Sequence, residues 1–331
     1  MALPLGIVLP MVERPPVGPV PSWADMLAVA QFGESVGADT VFLADEILWR
    51  DPDWPEPRGW WDCLTLAGAL AASTSTIKIG TWVLSALQHQ PGMVVRAAET
   101  LDEISGGRFV LGIGAGHAGG ATALGFATDN AVSRYLEAVE IIVPLLRSED
   151  PVTFEGNFHR AEEVIVRPRG PRSGRIPLMM GGHKPRTMTA AAQHADVWSA
   201  FATTSSLPES FRDMTHQLDQ ICEKVGRDPA SIERSVGVWV DVGDETTAES
   251  AGLGVPITGS SEEITDTLAS FADVGVTRVE IAPWPPTLDA VHRLEPVIRA
   301  LTQGRARPTS GPAPATNLIR GKLLGAPKAK D

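Results

Sequence analysis

Two glycine-rich turns in this chain each follow an apolar run: Gly112-Ile113-Gly114-Ala115-Gly116-His117-Ala118-Gly119-Gly120 after positions 108–111, and Gly181-Gly182-His183-Lys184 after positions 176–180. Turns without side chains let backbone N–H groups approach an anion. The second leads directly into Pro185-Arg186-Thr187, a helix start whose amides, with Lys184 or Arg186 beside them, suit a phosphate. The plainer reading, a helix-start turn with solvated cations, stands next to it. The first run is not the dinucleotide fingerprint, because no helix is expected to open on its last glycine and helical spacing resumes only after Asn130.

Groups able to move protons or wall a ring system stand near these turns. Asp45 and Glu46 are adjacent carboxylates. On a continuing strand they point to opposite sides, so one faces the pocket and the other is structural. His117 is of a residue type suited to general acid or base work, although a loop histidine is as readily a surface group. Trp49, Trp60, Trp61 and Trp82 offer flat apolar surface, for a ligand ring or for the core. Arg134 has two readings, a phosphate contact or a surface pair with Glu137 and Glu140. The seven histidines form no close ligand pair, so no metal is expected, and there is no Gly-x-Ser-x-Gly elbow.

These groups must be positioned by regular elements, and the hydrophobic pattern supplies them. Eight apolar, often β-branched runs at 5–10, 40–45, 77–83, 108–113, 176–181, 196–201, 235–241 and 277–282 read as strands buried on both faces. Helical spacing lies between them at 22–36, 60–75, 92–105, 131–147, 185–194, 207–226, 261–274 and 287–302. Ser22 with Asp25 makes a capping box for the first helix, and Gly37 ends it. Eight right-handed strand–helix units close into an α/β (β/α)8 TIM barrel, with an open doubly wound sheet as the other arrangement. Positions 152–159 read as a small hairpin around Gly156, inserted after the fourth helix at the rim of the site. The barrel domain spans 1–303. The Pro/Ala-rich basic tail, 304–331, cannot bury enough surface to fold.

At 331 residues, 43% of them hydrophobic, the chain can bury one large core. A net charge of −12 argues against nucleic acid as a partner. Cys63 and Cys222 both fall in helical segments, which suggests reduced thiols in a cytoplasmic protein, and no membrane span or export signal is expected.

The stretch Ile77-Lys-Ile-Gly-Thr-Trp-Val83, with Pro91-Gly-Met-Val-Val95 and Ser105-Gly-Gly-Arg-Phe-Val-Leu-Gly-Ile-Gly-Ala-Gly116, resembles the luciferase-like monooxygenase superfamily; 101–116 is the most specific part. Ser133-Arg134-Tyr-Leu-Glu137, Phe154-Glu-Gly-Asn-Phe158, Met180-Gly-Gly182, Ala195-Asp-Val-Trp198, Gly259-Ser-Ser-Glu-Glu-Ile264 and Gly275-Val-Thr-Arg-Val279 extend the likeness over about 5–301. The resemblance implies a barrel oxidoreductase using reduced FMN or the deazaflavin coenzyme F420, its ring over the barrel mouth and its phosphate toward the later loops. It implies phosphate contacts at Arg134 and the Gly181-Gly182 turn; with His183 and Lys184 beside that turn, and Trp49, Thr81, Trp82, Val83, Gly114 and Gly116 at the mouth, these make the expected cofactor-binding set. It also implies a non-proline cis peptide within Thr81-Trp82-Val83.

Two departures matter. Relatives that use the deazaflavin commonly place Asp-His where this chain has Asp45-Glu46, and many relatives have Trp-His or Trp-Asn followed by a glutamate after the glycine loop, whereas this chain reads Gly116-His117-Ala-Gly-Gly-Ala-Thr122. The favoured expectation is hydride transfer between F420 and a small organic substrate, with Glu46, His117 or Asp45 handling the proton. The alternatives are an FMN-dependent monooxygenase fed by a separate flavin reductase, and a non-catalytic flavin-binding subunit. A homodimer is the mild expectation.

Overall fold

The computed structural model describes residues 3–13, 20–49, 57–202, 205–243 and 255–302, and within them all eight apolar runs are strands. They are β1 (Leu5–Val8), β2 (Thr40–Leu43), β3 (Lys78–Thr81), β4 (Phe109–Gly114), β5 (Leu178–Gly181), β6 (Val197–Phe201), β7 (Glu233–Asp241) and β8 (Arg278–Trp284). All pair in parallel in the order β5-β6-β7-β8-β1-β2-β3-β4. The sheet then closes, because Leu111 on β4 pairs with Leu178 on β5. That closing pair makes the molecule a (β/α)8 barrel and excludes the open sheet.

The helices on the outside are α1 (Trp23–Val36), α2 (Cys63–Ser73), α3 (Pro91–Ser105), α4 (Ala131–Arg147), α5 (Pro185–His194), α6 (Glu209–Val225), α7 (Ser261–Ser270), α8 (Leu288–Arg293) and α9 (Glu295–Thr302). The Ser22–Asp25 capping box is present, and Met26, Val29, Ala30 and Val36 form the buried stripe of α1. Some boundaries move for local reasons. The second helix begins at Cys63 rather than 60, because Asp62 accepts the Thr65 N–H at 2.8 Å and serves as its cap. The last expected helix is two pieces, since Pro296 offers no N–H to the turn before it. The seventh ends in a 3-10 turn, Phe271–Val274.

One correction concerns the first glycine run, where a short helix, Ala118–Ala123, forms well before Asn130. Its Ala/Gly/Thr composition carries no apolar period to announce it. It sits where Gly120 lets the backbone of Leu48 approach, and a Cβ there would lie 2.6 Å from the Leu48 nitrogen. The hairpin after α4 forms from Val152–Glu155 and Arg160–Val164. Its tip is held by Glu137, which accepts the N–H groups of Asn157, Phe158 and His159 at 2.9, 2.7 and 3.1 Å.

Apolar side chains of the sheet's outer face and the helices make the main core, whereas Phe42, Val110, Met179 and Val197 fill the barrel interior. Phe42 occupies the space left by Gly6 and Gly80, where a Cβ would lie 2.5 Å from its ring at either position. At the interior's lower end Arg278, 5% exposed, donates to Asp39 at 3.0 Å and Glu233 at 3.4 Å. Among the described residues no helix is long and apolar enough to cross a membrane. The basic tail at 304–331 and most of the segment 242–258 lie outside the described residues.

Candidate active site

β2 ends at Leu43, so Asp45 and Glu46 do not alternate on a strand and their roles separate through the loop. Asp45 Oδ2 accepts the Ser85 N–H at 2.8 Å and meets His89 Nε2 at 2.9 Å, turning this carboxylate toward the loop after β3. Burial pulls the pKa of His89 down, but the hydrogen bond and charge of Asp45 outweigh it and the net shift is upward. Glu46, 13% exposed at its side chain, places Oε2 3.6 Å from Nδ1 of His117, while its Oε1 accepts the Ile47 N–H at 3.1 Å. Burial pushes the Glu46 carboxyl above the ordinary range, opposed by the Ile47 and Leu48 amides and by His117. The His117 ring stacks on Trp49, centroids 4.9 Å apart and planes 26° apart. Glu46, His117 and Trp49 thus form one group, built from loops that follow the strands on either side of β3.

Directly after β3 the Trp82–Val83 peptide is cis, within the segment where the resemblance placed such a bond. Thr81 fixes this turn by both donating to the Gly112 carbonyl and accepting the Gly112 N–H, each at 2.8 Å. The Trp82 indole enters the barrel, where Nε1 donates to Glu280 Oε2 at 2.6 Å. Glu280 is fully buried and also receives the hydroxyls of Ser199, at 3.2 Å, and Ser235. Burial raises the Glu280 carboxyl above its usual range, against the opposing pull of Arg278 and these three donors. Sequence reasoning missed Glu280. The available signal was a strand, 277–282, that reads apolar except for Arg278 and Glu280 two positions apart, hence on one face.

The glycines meet side chains of the protein itself. A Cβ on Gly114 would lie 2.6 Å from Val83 Cγ2, one on Gly181 3.2 Å from the same atom, and one on Gly116 2.0 Å from Ser85 Oγ. The amide of Gly182 donates to the Ser199 carbonyl at 3.1 Å, and its own carbonyl accepts the Trp198 indole N–H at 2.7 Å. The bareness of these turns is therefore required by protein packing around Val83, Ser85 and Thr187, and the Gly182 amide is already engaged.

Amides suited to an anion lie a few residues later. α5 begins with Pro185, and the first-turn N–H groups of Arg186 and Thr187 have no helical carbonyl behind them. His183 and Lys184 are exposed beside them. Arg186 Nη2 donates to Ser133 Oγ at 3.2 Å, which brings the start of α4 next to the start of α5. Arg134 pairs with Asp129 rather than with Glu137 or Glu140, through Nε to the carbonyl at 2.8 Å and Nη2 to the carboxylate at 3.0 Å. Its guanidinium lies 4.4 Å from the ring centroid of Phe158 in the hairpin, so the hairpin tip joins this rim. Trp60 and Trp61 stand apart: Trp60 bridges to Val12, and the Trp61 indole donates to the Pro21 carbonyl at 2.8 Å. No group of three or more His, Cys, Asp or Glu that would hold a metal occurs among the described residues.

One side of the mouth therefore carries an acid–base pair, the turn after β3 forms a floor anchored in the interior, and two adjacent helix starts form a cationic rim. A family model described as luciferase-like monooxygenase matches residues 3–251. An F420-dependent glucose-6-phosphate dehydrogenase of Nakamurella multipartita is 33% identical over 216 residues, 62% of this chain and 60% of that protein. A 5,10-methylenetetrahydromethanopterin reductase of Methanolobus tindarius is 27% identical over 207 residues, 62% of this chain and 57% of that one. Among solved structures, an F420-dependent secondary alcohol dehydrogenase superposes with a TM-score of 0.76 at 17% identity, covering 91% of this chain and 99% of the other.

Proposed function

The chain belongs to the luciferase-like monooxygenase family, and from that premise we propose that it is a cytoplasmic, homodimeric oxidoreductase transferring a hydride between coenzyme F420 and a small organic substrate. The observation that carries the reading is the Glu46–His117 pair, 3.6 Å apart, brought together by the loops that follow β2 and β4. The residues present fit a phosphate-bearing ring cofactor: Trp49 is 38% exposed and gives its face to His117, and the unpaired first-turn amides of α5 sit among Lys184, Arg186 and Arg134. In this reading the α5 start and these cations hold the phosphate. Trp82 and Val83 make the floor, and Trp49 with His117 makes a wall.

When bound, F420 supplies the two-electron acceptor or donor of a hydride. The protein's own work is orientation and proton handling. Glu46, in its ionised form, takes the proton of a substrate hydroxyl, and His117 at the solvent edge passes that proton outward; the reverse direction runs with Glu46 protonated. Asp45 acts at one remove, holding Ser85 and His89.

Equilibrium titration of the full chain with F420 and with FMN tests the assignment. Saturable F420 binding with weak FMN binding is the expected result, and tight FMN binding without F420 affinity overturns it. That second outcome, with substrate-dependent oxygen uptake in the presence of a separate flavin reductase, is the monooxygenase reading that the family description favours. Unchanged turnover in Glu46→Gln and His117→Ala would leave a non-catalytic flavin-binding subunit.

A further inference from the structure

Two buried hydroxyls beside the site have no protein partner. Ser85, 1% exposed, and Tyr135, fully buried, each keep a side-chain oxygen that no donor or acceptor of the described residues meets. They belong to different elements. Ser85 follows β3 in a short stretch, Leu84–Ser85, that pairs in parallel with Ile113 and Gly114 of β4, whereas Tyr135 stands near the start of α4. Both line one cavity of about 10 Å³, close to the volume that a single water needs. Its other walls are His89 and apolar side chains, among them Val94, Ile113 and Ala138.

A buried O–H without a partner loses its hydration uncompensated, and a phenylalanine at 135 would fill the same volume without that loss. The hydroxyl therefore calls for a partner. Burial pushes the Tyr135 phenol above its ordinary range, so it stays protonated and able to donate. A serine hydroxyl both donates and accepts, so one small neutral molecule with the same two capacities satisfies the pair. A cation would meet no carboxylate on the cavity wall, and the space admits nothing larger than water.

The position of Ser85 gives this contact its consequence. Its backbone N–H donates to Asp45 Oδ2 at 2.8 Å, and a Cβ on Gly116 would lie 2.0 Å from its Oγ. Ser85 thus lies against the residues that immediately precede Glu46 and His117. We propose that the cavity is the seat of one resident water bridging the hydroxyls of Tyr135 and Ser85, and that through it α4 anchors Ser85 between the supports of the Glu46–His117 pair. The water accepts from one hydroxyl and donates to the other, and no covalent bond changes. The assignment concerns the chain alone and holds whichever ring cofactor the barrel takes.

A high-resolution crystal structure of the full chain should show one solvent peak within about 3.2 Å of both oxygens. Melts of the wild type, Tyr135→Phe, Ser85→Ala and the double variant test the bridge itself. Each single substitution strips the water of a partner and should lower Tm by about 1–3 °C. The double variant should lose less than the two losses added, because the second removal acts on a bridge already broken. A Tm that rises or stays level in Tyr135→Phe overturns the proposal, since that is the response of a hydroxyl in a dry gap. Additive losses overturn it as well, by showing that the hydroxyls act separately. So does a structure in which the two oxygens touch directly with no solvent between them. Should Ser85→Ala fail to fold, the solvent peak and the sign of the change in Tyr135→Phe, which removes one oxygen only, decide the matter.

Discussion

At the scale of single residues, burial and one contact divide the labour between two neighbouring carboxylates. Asp45 is tied to Ser85 and His89, leaving Glu46 to face His117 with a carboxyl pushed upward by burial. For a hydroxyl-oxidising reaction Glu46 must be ionised, so kcat/KM should fall on the acid side through a midpoint above the ordinary carboxylate value of about 4.3. Glu46→Gln is expected to lower kcat/KM by about 10²- to 10⁴-fold and to erase that acid limb, with F420 affinity nearly unchanged. A pH–rate profile of the variant that keeps the limb would assign it to another group. The pair of types, a carboxylate after the second strand and a histidine after the fourth, was legible in the sequence. Which carboxylate faces His117 was not, because it depends on the strand stopping at Leu43.

Elements were legible where their signal is local. Eight apolar runs, the Ser22 cap and the Gly156 hairpin depend on residues within a few positions of each other. The bolts between elements were not, since they join distant positions. Arg108, inside the block that carried the family resemblance, donates to the carbonyls of Ala71, Thr74 and Ile77 at 2.8, 3.0 and 2.5 Å, clamping the end of α2 to the start of β3 from 31 to 37 residues away. The Asp45–His89 contact is another such bolt, and it titrates. A histidine whose folded pKa is raised contributes stability that is complete below its unfolded pKa, about 6.5, and is lost as pH rises through the raised value. Wild-type protein should therefore lose Tm as pH rises from 6 through the raised pKa of His89. His89→Gln, which keeps a donor without the proton equilibrium, should be flatter over the same window. Parallel Tm curves for the two proteins would remove His89 from the pH dependence.

For the whole molecule, the site is coupled to the barrel's interior through an axis of polar groups that a purely apolar core would lack. Arg278 closes the lower end, and Glu280, one layer above on the same strand, holds Trp82 beneath the mouth along with Ser199 and Ser235. Removing the carboxyl leaves three buried donors unsatisfied at about 1–3 kcal/mol each, so Glu280→Ala should destabilise the fold by roughly 3 kcal/mol or more. A glutamine preserves an acceptor for the indole, and serine hydroxyls rotate to accept from its amide, so Glu280→Gln should stay within about 1 kcal/mol of wild type at low pH. Because burial raises the Glu280 carboxyl, the native protein's stability from this group is greatest below the unfolded carboxyl pKa of about 4.3 and declines as pH rises toward the folded value. The advantage of glutamine should grow over that same span. Denaturant melts of the three proteins at pH 4 and pH 7 read the comparison directly, and near-ultraviolet circular dichroism reports whether the Trp82 ring keeps its fixed setting. If Glu280→Gln proves as unstable as Glu280→Ala at both pH values, the interior is held by a charged Glu280 opposite Arg278, and the Trp82 floor rests on that ion pair rather than on hydrogen-bond satisfaction.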